Sequence, residues 1–432
     1  MKKNLITVML IFCFLTSYSL SFANNQDDIM QQDTIKVTIS KFFDNYFESF
    51  KTKSIIDSSD FVEKNDETLL FANYFESAIE AAKAFGTGYR NYDYSLTYKN
   101  LSAKDGIASV SVMLKAKFQY ENSREDINSS ISNVKYKFLL RNEKDNWIIT
   151  KIDTDLFDVR KFKEFVDHKL KDNPSMTKRE ATIKTKNDKI KNIPKLLNQF
   201  SKSLNNTITS EKKKKSLSPD SIVAPLSYYI YDYDFNNGLY YAARFAENPD
   251  STFFNYYSGS SYDCTNFVSQ CVWASYGGYI DGNDTVTKNN IANQIRMVPG
   301  TYNTGWYGGT GGGSLKWIRV ESFYSYVTDT NKTVGPMGTG YNNGSVYSNL
   351  SPQVIYHGEV LQFRTGSTGN YTHSVYVTDR EMFPSSYSDV YVSQHSDNAY
   401  NRSLSSLIFA FTDGYNQCYM RDIAFDYACF QN

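Results

Sequence analysis

The chain has 432 residues, which is enough for two domains with separate hydrophobic cores. Hydrophobic residues make up 41% of it and charged residues 21%, a balance that is typical of globular proteins and excludes a largely disordered chain. The formal net charge is +0, so no overall field attracts nucleic acid, and nucleic acid is not expected as a partner.

The N-terminus has the pattern of an export signal. Two lysines are followed by an apolar run, Leu5 to Leu20, and small residues stand at Ser21 and Ala23. We therefore expect residues 1–23 to be a signal peptide, and the mature protein to be secreted and either extracellular or associated with the cell wall. No later segment of the sequence is long and apolar enough to cross a membrane.

The segment 30–173 predicts an N-terminal α+β domain of unknown role. Apolar residues at helical spacing predict helices over 34–53 and 69–85. Four stretches that alternate or run β-branched and aromatic then predict strands, within 94–155. This order of elements resembles the cone-shaped helix-plus-sheet domains that are often appended to secreted bacterial enzymes.

Residues 174–219 predict an exposed basic linker that is helical in part. Positions 174–218 hold 12 lysines and arginines against 3 acidic residues, and the segment contains the run Lys212 to Lys215. One interpretation is a solvated hinge between two aromatic-rich halves. The other is a segment that binds an anionic wall polymer.

The remaining residues, 220–432, predict a second α+β domain. Its stretch SYDCTNFVSQCVWASYGG, residues 261–278, predicts a helix with a cysteine at its start. Counted from Cys264, apolar residues recur at offsets 3, 4, 7 and 8, which is the spacing of a buried stripe, so this cysteine and Cys271 are candidate packing residues. Cys264 is also a candidate nucleophile, because the free N–H groups and the dipole of a first helical turn favour a thiolate. Asp263 or Ser261 can cap this helix.

The other cysteines bear on disulfides. The sequence has 5 cysteines, and Cys13 lies in the expected signal peptide. If Cys264 stays free for chemistry, Cys418 with Cys429 is the simplest remaining bridge. A bridge from Cys264 to Cys271 is not expected, because seven residues of helix separate their Cα atoms by about 10 Å.

A thiolate nucleophile needs an imidazole partner, and only 4 histidines occur in the chain. The segments Gly358–Gly366 and His373–Asp379 predict a hairpin, and DVYVSQHSD predicts a further strand that ends at His395. If these strands are antiparallel neighbours, the start of one meets the end of the next. His373 and His395 are then expected at the same rim of the sheet.

These motifs together resemble a bacterial amidase domain family. The chain carries DCTNFVSQC, then SLKWIRVESFYSYV, then GEVLQF, HSVYVT and VYVSQHSDNAYNR, within residues 236–406. The family is similar to the papain-like cell-wall hydrolases of the NlpC and CHAP types. The resemblance implies a papain-like domain in which a helix bearing the cysteine packs on an antiparallel sheet.

The same resemblance implies roles for particular residues. Cys264 would be the nucleophile, His373 the general base and acid, and His395 the residue that orients His373. The alternative third residues are Asp397 and Asn398, which follow His395 closely. Tyr262 and Asp263 are candidates for oxyanion or substrate contacts.

The expected function is hydrolysis of an amide bond through a thioester, with peptidoglycan or another peptide as the substrate. Two alternatives stay open: a cysteine protease or acyltransferase that acts on proteins, and a non-catalytic surface-binding module. No cofactor is expected. No metal site is expected either, since the histidines lack ligand spacing and no Cys-x-x-Cys motif occurs.

Overall fold

The computed structural model describes residues 30–144, 146–204, 228–257 and 263–431. The predicted signal peptide, the run Lys212 to Lys215 and Tyr262 lie outside the described residues. Helices and a large antiparallel sheet are combined in one chain, so the predicted α+β class is confirmed.

The N-terminal half consists of two helices and a four-stranded meander. The helices are α1, residues 30–52, and α2, Asp66–Phe85. The strands are β1 Tyr89–Lys104, β2 Ile107–Tyr120, β3 Ser129–Glu143 and β4 Asn146–Thr154. The aromatic stripe of α1, which includes Phe43 and Phe47, is buried against α2 and the meander. The helices and strands predicted from periodicity in this half are therefore present.

Two further helices follow the meander, α3 at Phe157–Asp172 and α4 at Lys178–Ser203. We expected residues 174–219 to be an exposed linker, and α4 corrects this for residues 178–203. Thr177 and Glu180 close a capping box at its start. One side of α4 buries Ile193, Leu196 and Phe200, while its lysines supply the basic composition. Eight of the 12 lysines and arginines counted there therefore belong to a packed helix, and the other four, at 212–215, lie outside the described residues.

The C-terminal half surrounds the cysteine-bearing helix. Its helices are α5 Phe235–Phe245, α6 Asp263–Ser275, α7 Asp284–Ala292, α8 Leu315–Ile318, α9 Val320–Val327 and α10 Leu404–Ala410. Its strands are β5 Tyr228–Asp232, β6 Gly308–Gly309, β7 Gly312–Gly313, β8 Gly335–Tyr341, β9 Val360–Thr365, β10 His373–Arg380, β11 Val390–Gln394, β12 Ala399–Ser403 and β13 Cys418–Gln431.

One sheet joins the two halves. Its strand order is β1-β2-β3-β12-β11-β10-β9-β13-β5, with β4 on β3 and β8 on β13. The predicted hairpin is β9 with β10, and β11 is the antiparallel neighbour of β10. The link between the halves is the pairing of Tyr400 on β12 with Ser130 on β3.

The junction between the halves also has a hydrophobic core of its own. Phe85, Phe157 and Phe200 pack there with Phe363 and Val375 of the C-terminal half. The N-terminal half is therefore packed against the C-terminal half as well as paired with it through the sheet.

Two further findings concern the membrane and the cysteines. Among the described helices, none is both long and apolar enough to cross a membrane. All four described cysteines are free, so the suggested bridge between Cys418 and Cys429 is not formed. Both belong to the same extended strand, β13, which holds them apart.

Candidate active site

The start of α6 is held by the carboxylate of Asp263. Its Oδ1 accepts hydrogen bonds from the backbone N–H of Tyr257 at 3.1 Å and from Asn266 Nδ2 at 2.8 Å. Its Oδ2 accepts from His395 Nδ1 at 2.8 Å. Both oxygens are thus engaged inside the protein, so Asp263 fixes the helix start and is not placed for the predicted oxyanion or substrate contact.

Cys264 follows in the first turn of α6, with 4% of its surface exposed. Its sulfur receives a hydrogen bond from the backbone of Ser374, the residue after His373, and lies 3.8 Å from Thr265 Oγ1. Burial raises the pKa of the Cys264 thiol, and these hydrogen bonds only partly oppose the rise. The expected lowering of this pKa by the helix start is outweighed by desolvation.

His373 is the first residue of β10 and has 3% of its surface exposed. Its Nε2 lies 2.8 Å from Gln394 Oε1, and its Nδ1 lies 3.3 Å from Ser396 Oγ. Burial lowers the pKa of His373 to about 3, and the hydrogen bond to Gln394 only partly opposes this. A neutral ring with Nε2–H donating to Gln394 leaves Nδ1 as the acceptor, which is the atom that can take a proton.

The imidazole is covered by aromatic rings from two parts of the chain. The ring of Phe157, from the start of α3, lies 4.8 Å from the ring of His373, centroid to centroid. Phe411 and Phe363 lie 5.9 and 6.5 Å away. The N-terminal half therefore contributes directly to the burial that keeps His373 neutral.

His395 does not orient His373, contrary to the prediction. Its Nδ1 donates to Asp263 and its Nε2 donates to the carbonyl oxygen of Phe245 at 2.9 Å, so its partners lie elsewhere. Its ring stacks on Phe267 of α6 at 4.2 Å. Because β11 ends at Gln394, the amide reaches His373 and the next residue turns to the opposite face of the sheet.

The alternative third residues also lie apart from His373. Both carboxylate oxygens of Asp397 accept from the backbone N–H of Phe157, at 2.7 and 2.9 Å. Burial raises the pKa of Asp397 to about 7. Asn398 Oδ1 accepts from the hydroxyl of Tyr256 at 3.3 Å. Neither residue has a hydrogen bond to His373 among those that the structure describes.

Ser374 links the nucleophile candidate to the strand that bears the base candidate. Its backbone meets the Cys264 sulfur, and its hydroxyl lies 3.0 Å from Thr265 Oγ1 and accepts from Gln362 Nε2 at 3.0 Å. Since side chains alternate along a strand, Ser374 lies toward α6 while His373 lies on the face of its cross-strand partner Phe363. The Cys264 sulfur therefore meets the strand at Ser374 from the α6 side, and the His373 ring lies on the other face of the same strand, one residue away.

Sequence reasoning missed Gln394, Ser396 and Phe157. A signal for Gln394 was present, because it adjoins His395 at the predicted rim and an amide oxygen can hold an imidazole as a carboxylate does. No such signal pointed to Phe157, because this residue belongs to the other half of the molecule. For metals, no group of three or more histidine, cysteine, aspartate or glutamate side chains with suitable placement occurs in the described part of the chain.

Comparison with known proteins adds one finding to this geometry. Residues 232–420 match the model of the family described as "Putative amidase domain". No curated protein and no solved structure matches the chain. The match contains α6, β10 and β11, and so contains Cys264, His373 and Gln394. This part of the chain is therefore similar to an amidase domain, a similarity that suggests hydrolysis of amide bonds.

Proposed function

We propose that the protein is an exported cysteine amidase that hydrolyses an amide bond in cell-wall peptidoglycan. The assignment of cysteine-dependent hydrolysis rests on one observation. His373 is held through Nε2 by Gln394, its Nδ1 is an acceptor, and the next residue along the strand meets the sulfur of Cys264. A thiol at the first turn of a helix and an imidazole of fixed tautomer on the adjoining strand are the two groups that nucleophilic acyl transfer requires.

The reaction begins from a neutral pair, because burial raises the pKa of the thiol and lowers that of the imidazole. Nδ1 of His373 takes the thiol proton as the sulfur attacks the amide carbonyl. The backbone N–H groups at the start of α6 are donors for the oxyanion that forms there.

The remaining steps return the enzyme to its starting state. His373 gives its proton to the nitrogen of the leaving amine, and the C–N bond breaks to leave a thioester on Cys264. Water, activated by the same Nδ1, attacks the thioester, releases the carboxylic acid and restores the thiol. Gln394 holds Nε2–H throughout, so one nitrogen alone exchanges protons.

Peptidoglycan is proposed as the substrate on the grounds of compartment and family. The basic start, apolar run and small residues within 1–23 have the pattern of an export signal. An amidase that acts outside a bacterial cell meets peptide and sugar–peptide amide bonds in the wall. The match to an amidase domain supports the class of bond.

The test is hydrolysis of purified peptidoglycan by the mature protein, followed by the appearance of new amino groups. Cys264→Ser should lower the rate about a thousandfold or more, because it removes the nucleophile. Cys271→Ser is the matched control, since Cys271 is a free, buried cysteine on the same helix and should keep most of the activity. Equal rates for Cys264→Ser and the wild type would exclude cysteine catalysis. Release of peptides from casein with an intact wall would instead favour a protease.

A further inference from the structure

A cleft of about 410 Å³ lies between the two halves of the molecule. One wall comes from β3, from the segment leading into α3 and from the first turn of α3, and it includes Lys135, Asp155 and Arg160. The other wall comes from Tyr256 and residues 395–398. The cleft is thus built by both halves.

Ser396 connects this cleft to His373. It lines the cleft, and its hydroxyl lies 3.3 Å from His373 Nδ1, the nitrogen that can accept a proton. A molecule lying in the cleft would therefore lie beside the group that exchanges protons in the reaction. This position favours a role in binding the substrate.

Asn398 supplies a buried polar group that has no partner. It is 1% exposed and lines the cleft. Its Oδ1 accepts from the hydroxyl of Tyr256, which fixes the orientation of the amide, and its Nδ2 has no hydrogen-bond partner among the described residues. Because a buried donor without an acceptor is costly, this group indicates a place for an acceptor that the ligand brings.

Two cations stand at the mouth of the same cleft. Arg160 donates from Nε to the carbonyl oxygen of Asp155 at 2.9 Å, and its guanidinium lies 5.7 Å from the ring of Phe157. Its two terminal nitrogens and Nζ of Lys135 have no ion pair or hydrogen bond among the residues that the structure describes. The carboxylate of Asp155 accepts from the backbone N–H of Lys135 at 2.7 Å. Asp155 and Asp397 also line the cleft, so it holds carboxylates as well as cations, and the ends of Arg160 and Lys135 are cationic groups there with no hydrogen bond to a described residue.

We propose that the cleft between the halves is a binding site for a peptide that carries a carboxylate. Arg160 and Lys135 hold the carboxylate, and Asn398 Nδ2 donates to a carbonyl oxygen of the peptide backbone. This rests on the proposed function, since it places one side of the substrate of that reaction. It makes the N-terminal half part of substrate recognition.

The experiment measures binding without turnover, in the mature full chain with Cys264→Ala. The probes are a fluorescently labelled tetrapeptide with a glutamate and a free C-terminal carboxylate, and the matched tetrapeptide with glutamine and a C-terminal amide. Fluorescence anisotropy should show tighter binding of the acidic peptide. Arg160→Gln and Lys135→Gln should each weaken its binding about fivefold to twentyfold and leave the amide peptide nearly unchanged, because they remove charge-assisted hydrogen bonds.

The control is Lys137→Gln, since Lys137 is an exposed lysine on the same strand outside the cleft and should bind the acidic peptide within about twofold of the parent. Asn398→Asp should weaken the binding of both peptides, because an acceptor replaces the donor. Aspartate also tolerates the left-handed backbone at this position, where φ is 45°. Circular dichroism and melting of each variant show that the fold is kept.

Equal binding of the two peptides, or equal behaviour of Arg160→Gln and Lys137→Gln, would overturn the proposal. The results also distinguish a wrong assignment of the cleft from a wrong assignment of the reaction. Charge-dependent binding that persists when the wild type cleaves no peptidoglycan supports the cleft and contradicts only the reaction. Cleavage that depends on Cys264, together with binding that ignores Arg160, contradicts only the cleft.

Discussion

At the scale of single residues, hydrogen-bond partners separate the two histidines that the sequence placed together. His395 faces a carboxylate at Nδ1 and a carbonyl oxygen at Nε2, so both of its nitrogens are occupied by acceptors. His373 meets one acceptor, at Gln394, and one hydroxyl, at Ser396. Only His373 therefore keeps a nitrogen that can act as a base, while His395 ties the start of α6 to the sheet.

Gln394 is expected to act as a positioning residue for His373. Gln394→Ala removes the acceptor that fixes the tautomer, and the peptidoglycan hydrolysis rate at saturating substrate should fall about tenfold to a hundredfold with little change in KM. Gln394→Glu keeps an acceptor and adds a negative charge, which raises the pKa of His373. This variant should recover part of the rate and move the acidic limb of the pH–rate profile to higher pH. A merely structural role would give no such shift, and identical profiles for the two variants would contradict this role.

The sequence predicted only those site residues whose role can be read from a short segment of the chain. Cys264 stands out because a helix start and an apolar stripe can both be read from a few residues. The partner of His373 could not be read in the same way, because it depends on where β11 ends. A difference of one residue along a strand changes the face of the sheet, so Gln394 and His395 have unrelated surroundings.

At the scale of elements, α3 begins on a residue from the other half. The backbone N–H of Phe157 at its first turn donates to both carboxylate oxygens of Asp397, since Leu156 supplies no side-chain cap. This contact holds the ring of Phe157 over His373. Burial raises the pKa of Asp397 to about 7, so the ionised carboxylate is kept at a cost.

Asp397→Asn should make the protein more stable than the wild type as the pH rises from about 4 to 7. In the folded wild type Asp397 stays protonated to a higher pH than in the unfolded chain, so ionisation lowers the wild-type free energy of unfolding over this range. The asparagine avoids this loss, and the difference between the two proteins should grow by about 2–4 kcal/mol. His373 contributes the opposite trend, because its pKa is lowered and stability is lost as the pH falls below about 6.5, but it does so in both proteins.

Urea unfolding at several pH values from 4 to 8 measures this difference. Asp153→Asn is the control, since Asp153 is an exposed aspartate of the preceding strand, and its stability curve should run parallel to that of the wild type. A difference between Asp397→Asn and the wild type that does not change with pH would show that the carboxylate is not buried in solution.

The helices and strands that the sequence predicted best are those whose buried residues pack against residues of the same half. The aromatic stripe of α1 and the alternating apolar residues of the meander strands each mark a face that packs against segments nearby in the sequence. The basic segment that became α4 was misread because its lysines dominate the composition. Phe200, one of its buried residues, contacts Tyr347 and Tyr387, which are more than a hundred positions away in the sequence. The residues around Phe200 in the sequence give no indication of this contact.

At the scale of the whole molecule, the two halves are joined by charged groups as well as by apolar packing. The side-chain nitrogen of Lys189 on α4 is buried, which lowers its pKa to about 7, and it donates to the carbonyl oxygens of Phe409 and Thr412, at 2.7 and 2.6 Å, where α10 ends. A cation at the end of a helix meets carbonyl groups that have no partner within the helix. Arg402 on β12 likewise donates to Asp158 at 2.6 Å. Buried polar groups of this kind are satisfied only while the halves are together.

This arrangement predicts that neither half folds alone and that the two complement each other. Residues 30–204 and 228–431, produced separately, should aggregate or stay unfolded, because each exposes apolar residues of the shared core and leaves a buried charge without its partner. Produced together, they should copurify as a 1:1 complex with the circular dichroism of the intact chain.

Phe200→Ala, which removes an aromatic contact across the junction, should weaken the complex by about 3–5 kcal/mol. Phe43→Ala makes a similar cavity inside one half and should destabilise the complex without selectively separating the chains. Size-exclusion chromatography with light scattering distinguishes these outcomes. Two folded, monomeric fragments would mean that the cleft and the cover over His373 belong to independent domains, and that the N-terminal half has no necessary part in the site.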